Sequence, residues 1–181
     1  MTSSADTQFG QTGGAESRAE HVSNSPTAGA PVGAQGWREI HGRLPGESDL
    51  KERLRGVGLR PTVQRLSLCR LLFGRSGDRH VSAEALHAEA REAGLTMSLS
   101  TVYNALNQFA AAGLLREIAV QGSRTYFHTR TSPHHHFIDE VSGRMFDVSD
   151  GQVEFARLPA PPEGMEIVGC DVIIRLRKKK R

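Results

Sequence analysis

The chain is poor in cysteine: it has two in 181 residues, Cys69 and Cys170, and no Cys-x-x-Cys pair. That argues against a disulfide-built secreted scaffold and against a zinc clip of paired cysteines. Long apolar runs are missing as well. The longest stretch of apolar residues and glycine is the seven from Phe109 to Leu115, against the roughly 20 residues that a membrane-spanning helix needs. The start of the chain shows no basic segment leading into an apolar one, so no secretory signal is expected and a cytoplasmic protein is. Over the first 36 residues the only large apolar side chains are Met1, Phe9, Val22 and Val32. Such a segment cannot bury enough surface to offset the entropy of ordering it. Residues 1–45 are therefore expected to form a disordered tail, with Trp37 as its one anomaly.

Excess charge is scarce except at the end. The formal net charge is +3, and six basic side chains lie between Arg175 and Arg181, so the rest of the chain is net acidic. A basic tail over 177–181 can hold phosphate groups, or it can simply be a solvated end. Overall charge does not by itself mark a DNA-binding protein.

Regular pattern begins near Ser48. Leu50, Leu54 and Val57 fall at helical spacing, with Ser48 as the expected N-cap and Gly58 as the stop. Pro61 is expected to open a second helix carrying Val63, Leu66, Leu68, Leu71 and Leu72. Ser82 caps a third helix over Ala83–Ala93, and Ser98 caps a fourth that ends at Gly113. The period then changes to two: Leu115–Val120, a Gln121-Gly122-Ser123 turn and Arg124–His128 read as a β-hairpin. Helices with a hairpin directly behind the last of them make a winged helix-turn-helix. Beyond it, strands are expected over His134–Val141, Arg144–Val148 and Glu166–Leu176, with a short helix over Gly151–Leu158. The fold class expected is α+β: a winged helix over 46–129, then a small α/β dimerisation domain over 130–176. That second unit is too small to bury a core of its own unless it pairs with another copy.

Two groups of residues carry chemistry. On the fourth helix Leu99, Val102, Leu106 and Phe109 face inward, which leaves Ser100, Thr101, Tyr103, Asn104, Asn107 and Gln108 outside. Amides can read adenine edges and hydroxyls can hold phosphate, so this face suits double-stranded DNA, with Arg124 at the wing tip. A helix packed on a partner protein would show the same face. The second group is His134-His135-His136. In a strand, His134 and His136 share one side and can converge on a metal, while His135 points away. His128 precedes them, and Asp139, Glu140 and Asp147 follow. Imidazoles and carboxylates gathered at a domain junction suit Fe(II), Mn(II) or Zn(II). A polar strand with unliganded histidines is the plain alternative.

Together these residues resemble the ferric uptake regulator superfamily, over roughly residues 48–176. The resemblance rests on Leu59-Arg-Pro-Thr-Val-Gln-Arg65, His80-Val-Ser-Ala-Glu84, Ser100-Thr-Val-Tyr-Asn-Ala-Leu-Asn-Gln-Phe109, Ala112-Gly-Leu-Leu115 and His134-His-His136. The Leu-Leu-Phe-Gly74 stretch, Gly-Asp-Arg-His80 and His-His-His-Phe137 look most like its iron response regulator branch. The resemblance implies a homodimeric, iron-responsive repressor, not an enzyme, that binds palindromic operator DNA and has no membrane partner, with a manganese-, zinc- or peroxide-sensing regulator of the same superfamily as the alternative. It extends the expected DNA contacts to Arg60, Thr62, Gln64 and Arg65. It places the regulatory metal on His80, His128, His134, His136 and Asp147, with His128 where a Glu is commoner. A second site would use His135 and Glu154, with Cys170 where a His is usual. The places of the paired cysteines that hold structural zinc in many relatives fall near Asp139 and Ser142, so structural zinc is not expected. The iron response branch is also known for sensing haem, sometimes through a Cys-Pro motif. Neither cysteine here precedes a proline, so haem would have to use His134, His135 and His136. Asn104 stands where a basic residue commonly follows the recognition-helix Tyr. Rival readings are a small metal-dependent hydrolase, because His-x-His spacing also occurs in such enzymes, and a metal-buffering or haem-carrying protein.

Overall fold

The computed structural model describes residues 43–120 and 124–179. Nearly all of the expected tail with Trp37, the Gln121-Gly122-Ser123 turn and the last two basic residues lie outside the described residues. Helices α1 (Glu47–Gly56), α2 (Val63–Phe73), α3 (Ala83–Glu92) and α4 (Leu99–Ala111) form the first part. Six strands accompany them: β1 (His80–Val81), β2 (Arg116–Val120), β3 (Arg124–His128), β4 (His136–Asp139), β5 (Met145–Asp147) and β6 (Ile173–Leu176).

The caps explain where the helices begin. Ser82 and Ser98 cap α3 and α4 as expected, accepting the N–H groups of Ala85 at 3.2 Å and Thr101 at 3.1 Å. Two expectations are corrected. Pro61 does not open α2; Thr62 caps it by accepting the Arg65 N–H, because a hydroxyl can take an orphan donor and proline cannot. Ser48 is not the cap of α1; Gly46 is, with its N–H donated to Asp49 Oδ2 at 2.7 Å. At the end of α4, Gly113 takes φ 72°, which lets the Leu114 N–H reach back to the Phe109 carbonyl at 2.8 Å. The helices bury Leu54, Leu68, Leu72, Phe73, Leu86, Leu106 and Phe109 in one core, closed on one side by Phe127 of β3.

The strands form two three-stranded sheets, ordered β1-β3-β2 and β5-β4-β6. The first is wholly antiparallel; in the second, β4 pairs antiparallel with β5 and parallel with β6. Alternation along a strand decides what each face meets. On β3, Phe127 enters the helical core while Tyr126 turns to the second sheet. There the cross-strand pair Ile118–Tyr126 packs on the cross-strand pair Ile138–Met145, with Val120 and Ile173 at the margin. The Tyr126 hydroxyl donates to the Gly143 carbonyl at 2.8 Å. The C-terminal unit thus has an apolar contact within its own chain, which the sequence had assigned to a second copy.

Three strands are shorter than expected: His134 and His135 precede β4, β5 is three residues, and only Ile173–Leu176 of the Glu166–Leu176 segment is a strand. No helix forms over Gly151–Leu158. Gly151 sits at φ 79°, a single turn closes from the Gln152 N–H to the Ser149 carbonyl, and prolines follow at 159, 161 and 162. So short a helix is not stable without a face to bury, and Phe155, Leu158, Met165, Ile167 and Val168 are exposed here. The β4–β5 turn, at Asp139 and Ser142, closes by hydrogen bonds. Asp139 Oδ2 accepts the Ser142 hydroxyl at 2.6 Å, and Oδ1 accepts the Val141 N–H at 3.0 Å.

Candidate metal centre and helix face

The two facing sheet surfaces that are apolar at one end become titratable at the other. On the first sheet His80 of β1 lies directly opposite His128 of β3. On the second, His136 of β4 lies directly opposite Asp147 of β5. Three of these continue, two residues along, the face of an inter-sheet contact: His128 follows Tyr126, His136 precedes Ile138 and Asp147 follows Met145. His134 joins them from the segment before β4. One ligand atom from each of the five lies within 4.8 Å of all the others. Around Asp147 Oδ1 stand His80 Nε2 at 3.0 Å, His134 Nε2 at 3.3 Å, His128 Nε2 at 3.8 Å and His136 Nε2 at 3.9 Å. The His80 and His128 rings stack with centroids 3.8 Å apart.

The burial of these groups is the telling feature. His128, His134 and His136 are buried, and the Nε2 atoms of all four histidines and Asp147 Oδ1 have no hydrogen-bond partner beyond one another. Leaving a buried polar atom unpaired costs about 1–3 kcal/mol, so five at one point call for a shared partner. Burial, helped by neighbouring His80, lowers the His128 imidazole to about 2. Burial, then His134 and His80, lowers His136 to about 4. Both are therefore neutral near pH 7, the form that donates a lone pair to a metal. Burial opposes ionisation of Asp147, but the adjacent imidazoles outweigh it and hold the carboxyl below its usual range. His134 Nδ1 donates to the Ser132 carbonyl at 2.7 Å, which fixes the tautomer with Nε2 free to ligate. Four imidazole nitrogens and one carboxylate fit a divalent first-row cation.

The expected second site is not assembled. Among the described residues the five-residue cluster is the one such group. His135 Nδ1 accepts the Val172 N–H at 3.2 Å and its ring packs on Phe155, while Glu154 is exposed and Cys170 half-buried. The helix expected over Gly151–Leu158 is absent, and Glu154 stands exposed next to the Phe155 that packs on His135.

On α4 the inward set is as expected, with Val102, Leu106 and Phe109 buried, and Ser100, Asn104, Asn107 and Gln108 exposed. Tyr103 differs: it is half-buried against the core, and its hydroxyl donates to Glu84 of α3 at 3.0 Å. The start of α2 lies beside this face, because Arg65 donates to Gln108 Oε1 at 2.6 Å and to the Arg60 carbonyl at 2.8 Å. Arg60 and Gln64 are exposed, and Thr62 uses its hydroxyl oxygen as the α2 cap. Ser98, Ser100 and Thr101 cluster their hydroxyls at the N-terminus of α4, where the helix dipole favours anions. The Arg124 side chain lies outside the described residues. The Tyr103–Glu84 and Arg116–Asp171 contacts have no signal in the sequence, since the partners are 19 and 55 residues apart, and the Ser132 carbonyl that takes His134 Nδ1 is a backbone group that no side-chain pattern marks.

Comparison with known proteins agrees with this architecture. Residues 56–175 match the family described as ferric uptake regulator family. The ferric uptake regulation protein of Pseudomonas aeruginosa is 33% identical over 129 residues, covering 70% of this chain and 96% of its own. That of Pseudomonas putida is 32% identical over the same length and coverage. Among solved structures, the Pseudomonas aeruginosa ferric uptake regulator with manganese is similar at TM-score 0.55 and 28% identity, covering 72% of this chain and 98% of that one. The Vibrio cholerae regulator is similar in fold at TM-score 0.56 and 22% identity, covering 71% of this chain and 98% of that one. With two thirds of its length matched by the family and its helices, wing and second sheet laid out as described, the chain belongs to the ferric uptake regulator family.

Proposed function

We propose that the protein is an iron-responsive DNA-binding regulator, chiefly a repressor of iron and haem metabolism genes, most like the iron response branch of its family. One observation carries the sensing part: five buried ligand atoms, drawn from both sheets, converge with no other partner. A divalent cation would supply the positive charge that these atoms share. His80 and His128 come from the winged-helix sheet, while His134, His136 and Asp147 come from the C-terminal unit. All five can ligate together only when the two sheets face each other as here, so the loaded state fixes how the helix face is presented. The imidazole-rich donor set suits Fe(II) or Zn(II) better than Mn(II), which favours carboxylate and water. Haem is the less favoured ligand, since His134 and His136 turn their Nε2 atoms into the cluster and haem would have to open it.

In this reading residues 46–129 bind DNA and 130–176 dimerise and complete the sensor. Two copies pair through β6 and the exposed apolar side chains before it, and present two α4 helices to successive half-sites about 34–36 Å apart. Operator contacts fall to Arg60, Thr62, Gln64, Arg65, Ser100, Thr101, Tyr103, Asn104 and Arg124. For Tyr103 this means that its phenol exchanges Glu84 for DNA.

DNA fragments selected on the purified protein, tested with Fe(II), Zn(II), Mn(II), haem and chelator in parallel, check the whole reading. Fe(II) is expected to change operator affinity at least tenfold over chelator, and no response to any metal would sink it. Asn104→Ala is expected to cost about 1–3 kcal/mol of sequence-specific binding, with non-specific binding unchanged. Equal loss on random DNA would remove Asn104 from the readers. Sedimentation is expected to show a dimer at micromolar concentration, and a monomer in both metal and chelator would refute the pairing.

A further inference from the structure

The ligands of the two sheets are held together by more than the metal site. Arg116, on β2, is the cross-strand partner of His128, and its side chain turns toward the C-terminal unit. There Nη2 pairs with both carboxylate oxygens of Asp171, and Nη1 donates to the Ser132 carbonyl at 3.2 Å. That same carbonyl takes the His134 Nδ1–H at 2.7 Å. Asp171 is anchored just as closely. Its neighbour Val172 receives the His136 N–H at 2.9 Å and gives its own N–H to His135. One guanidinium, 19% exposed, therefore reaches His134 through a shared carbonyl and His136 through one residue of backbone.

We propose that Arg116 is a positioning residue for the metal centre: its pair with Asp171 latches the winged-helix sheet onto the C-terminal sheet and so preassembles ligands that belong to different sheets. The inference rests on the metal-centre reading above. Apparent affinity falls by the fraction of molecules in the competent arrangement, and the latch raises that fraction before metal arrives. Asp171 is half exposed and is not one of the five ligands, so its removal loosens the arrangement without removing a donor.

The test titrates the full chain with Co(II), a visible stand-in for Fe(II), in the parent, Arg116→Ala, Asp171→Asn and the double variant. Each single variant is expected to bind Co(II) about three- to fivefold more weakly. The double variant should be no weaker than Arg116→Ala, and Arg116→Lys should recover much of the loss. In Asp171→Asn, long-range proton–nitrogen spectra should still show the His134 proton on Nδ1. Affinities within about 1.5-fold of the parent in both single variants would overturn the latch, as would losses that multiply in the double variant. Should Arg116→Ala fail to fold, Asp171→Asn decides alone. A parent that binds no Co(II) removes the metal-centre reading instead, and the latch with it.

Discussion

Replacing His134 and His136 together by Ala is expected to weaken divalent-metal binding by about 100-fold or more. Losing even an outer-shell partner of a ligand commonly costs 10–100-fold, and here two of five ligands go. Both imidazoles are buried, and a water entering the space they leave is a poorer ligand than the imidazole it replaces. The stability readout has a definite sign. At a metal concentration about 100 times Kd, binding stabilises the parent by about 2.7 kcal/mol, and that increment should vanish in the variant. The metal-free variant should lose much less, because it also discards buried nitrogens that have no partner. Thermal melts with metal and with chelator measure both. A metal-induced shift as large as the parent's would mean that the histidine cluster is not the site.

Phe127→Ala is expected to destabilise the winged helix by about 3–5 kcal/mol, the usual range for a buried Phe. The side chain is fully buried and closes the helical core from β3, with Val81 and Glu117 as its cross-strand neighbours. In a unit of this size that corresponds to a fall in melting midpoint on the order of 20 °C. The same strand carries His128 at the next position, turned to the other face. Metal affinity should therefore fall together with stability in Phe127→Ala, whereas the His134/His136 variant should separate the two. A denaturant midpoint shift worth less than about 1 kcal/mol would show that Phe127 is not closing the core.

The helices were legible because their signals are local. Ser82 and Ser98 cap at their own positions, and Leu99, Val102, Leu106 and Phe109 define the inner face of α4 whatever lies beyond it. α1 begins two residues before its expected start and α2 two residues after, because Asp49 and Thr62 compete as capping groups with Ser48 and Pro61 and only backbone geometry decides between them. β1 was not foreseen at all. Two residues carry no period, and His80-Val81 is a strand only because β3 lies beside it.

Composition and motif spacing by themselves determined the α+β class, the winged helix, the outward amides of α4 and the His134–His136 pair with His128 and carboxylates nearby, while the set of five that adds His80 and singles out Asp147 came from the family resemblance. Those depend on residue type and on short-range period, which survive in a one-dimensional string. Tertiary structure decided that the C-terminal sheet packs on the wing, and that the expected helix after Gly151 does not form. It also decided that Tyr103 is tied to Glu84 and that Arg116 joins Asp171 to the carbonyl that orients His134. Each of these depends on which surface meets which. Alternation along β3 says that Tyr126 and His128 share a face, but not what lies opposite. Only the packed sheets bring His80 and His128 against His136 and Asp147, and only burial between them strips those atoms of water and leaves them for a metal.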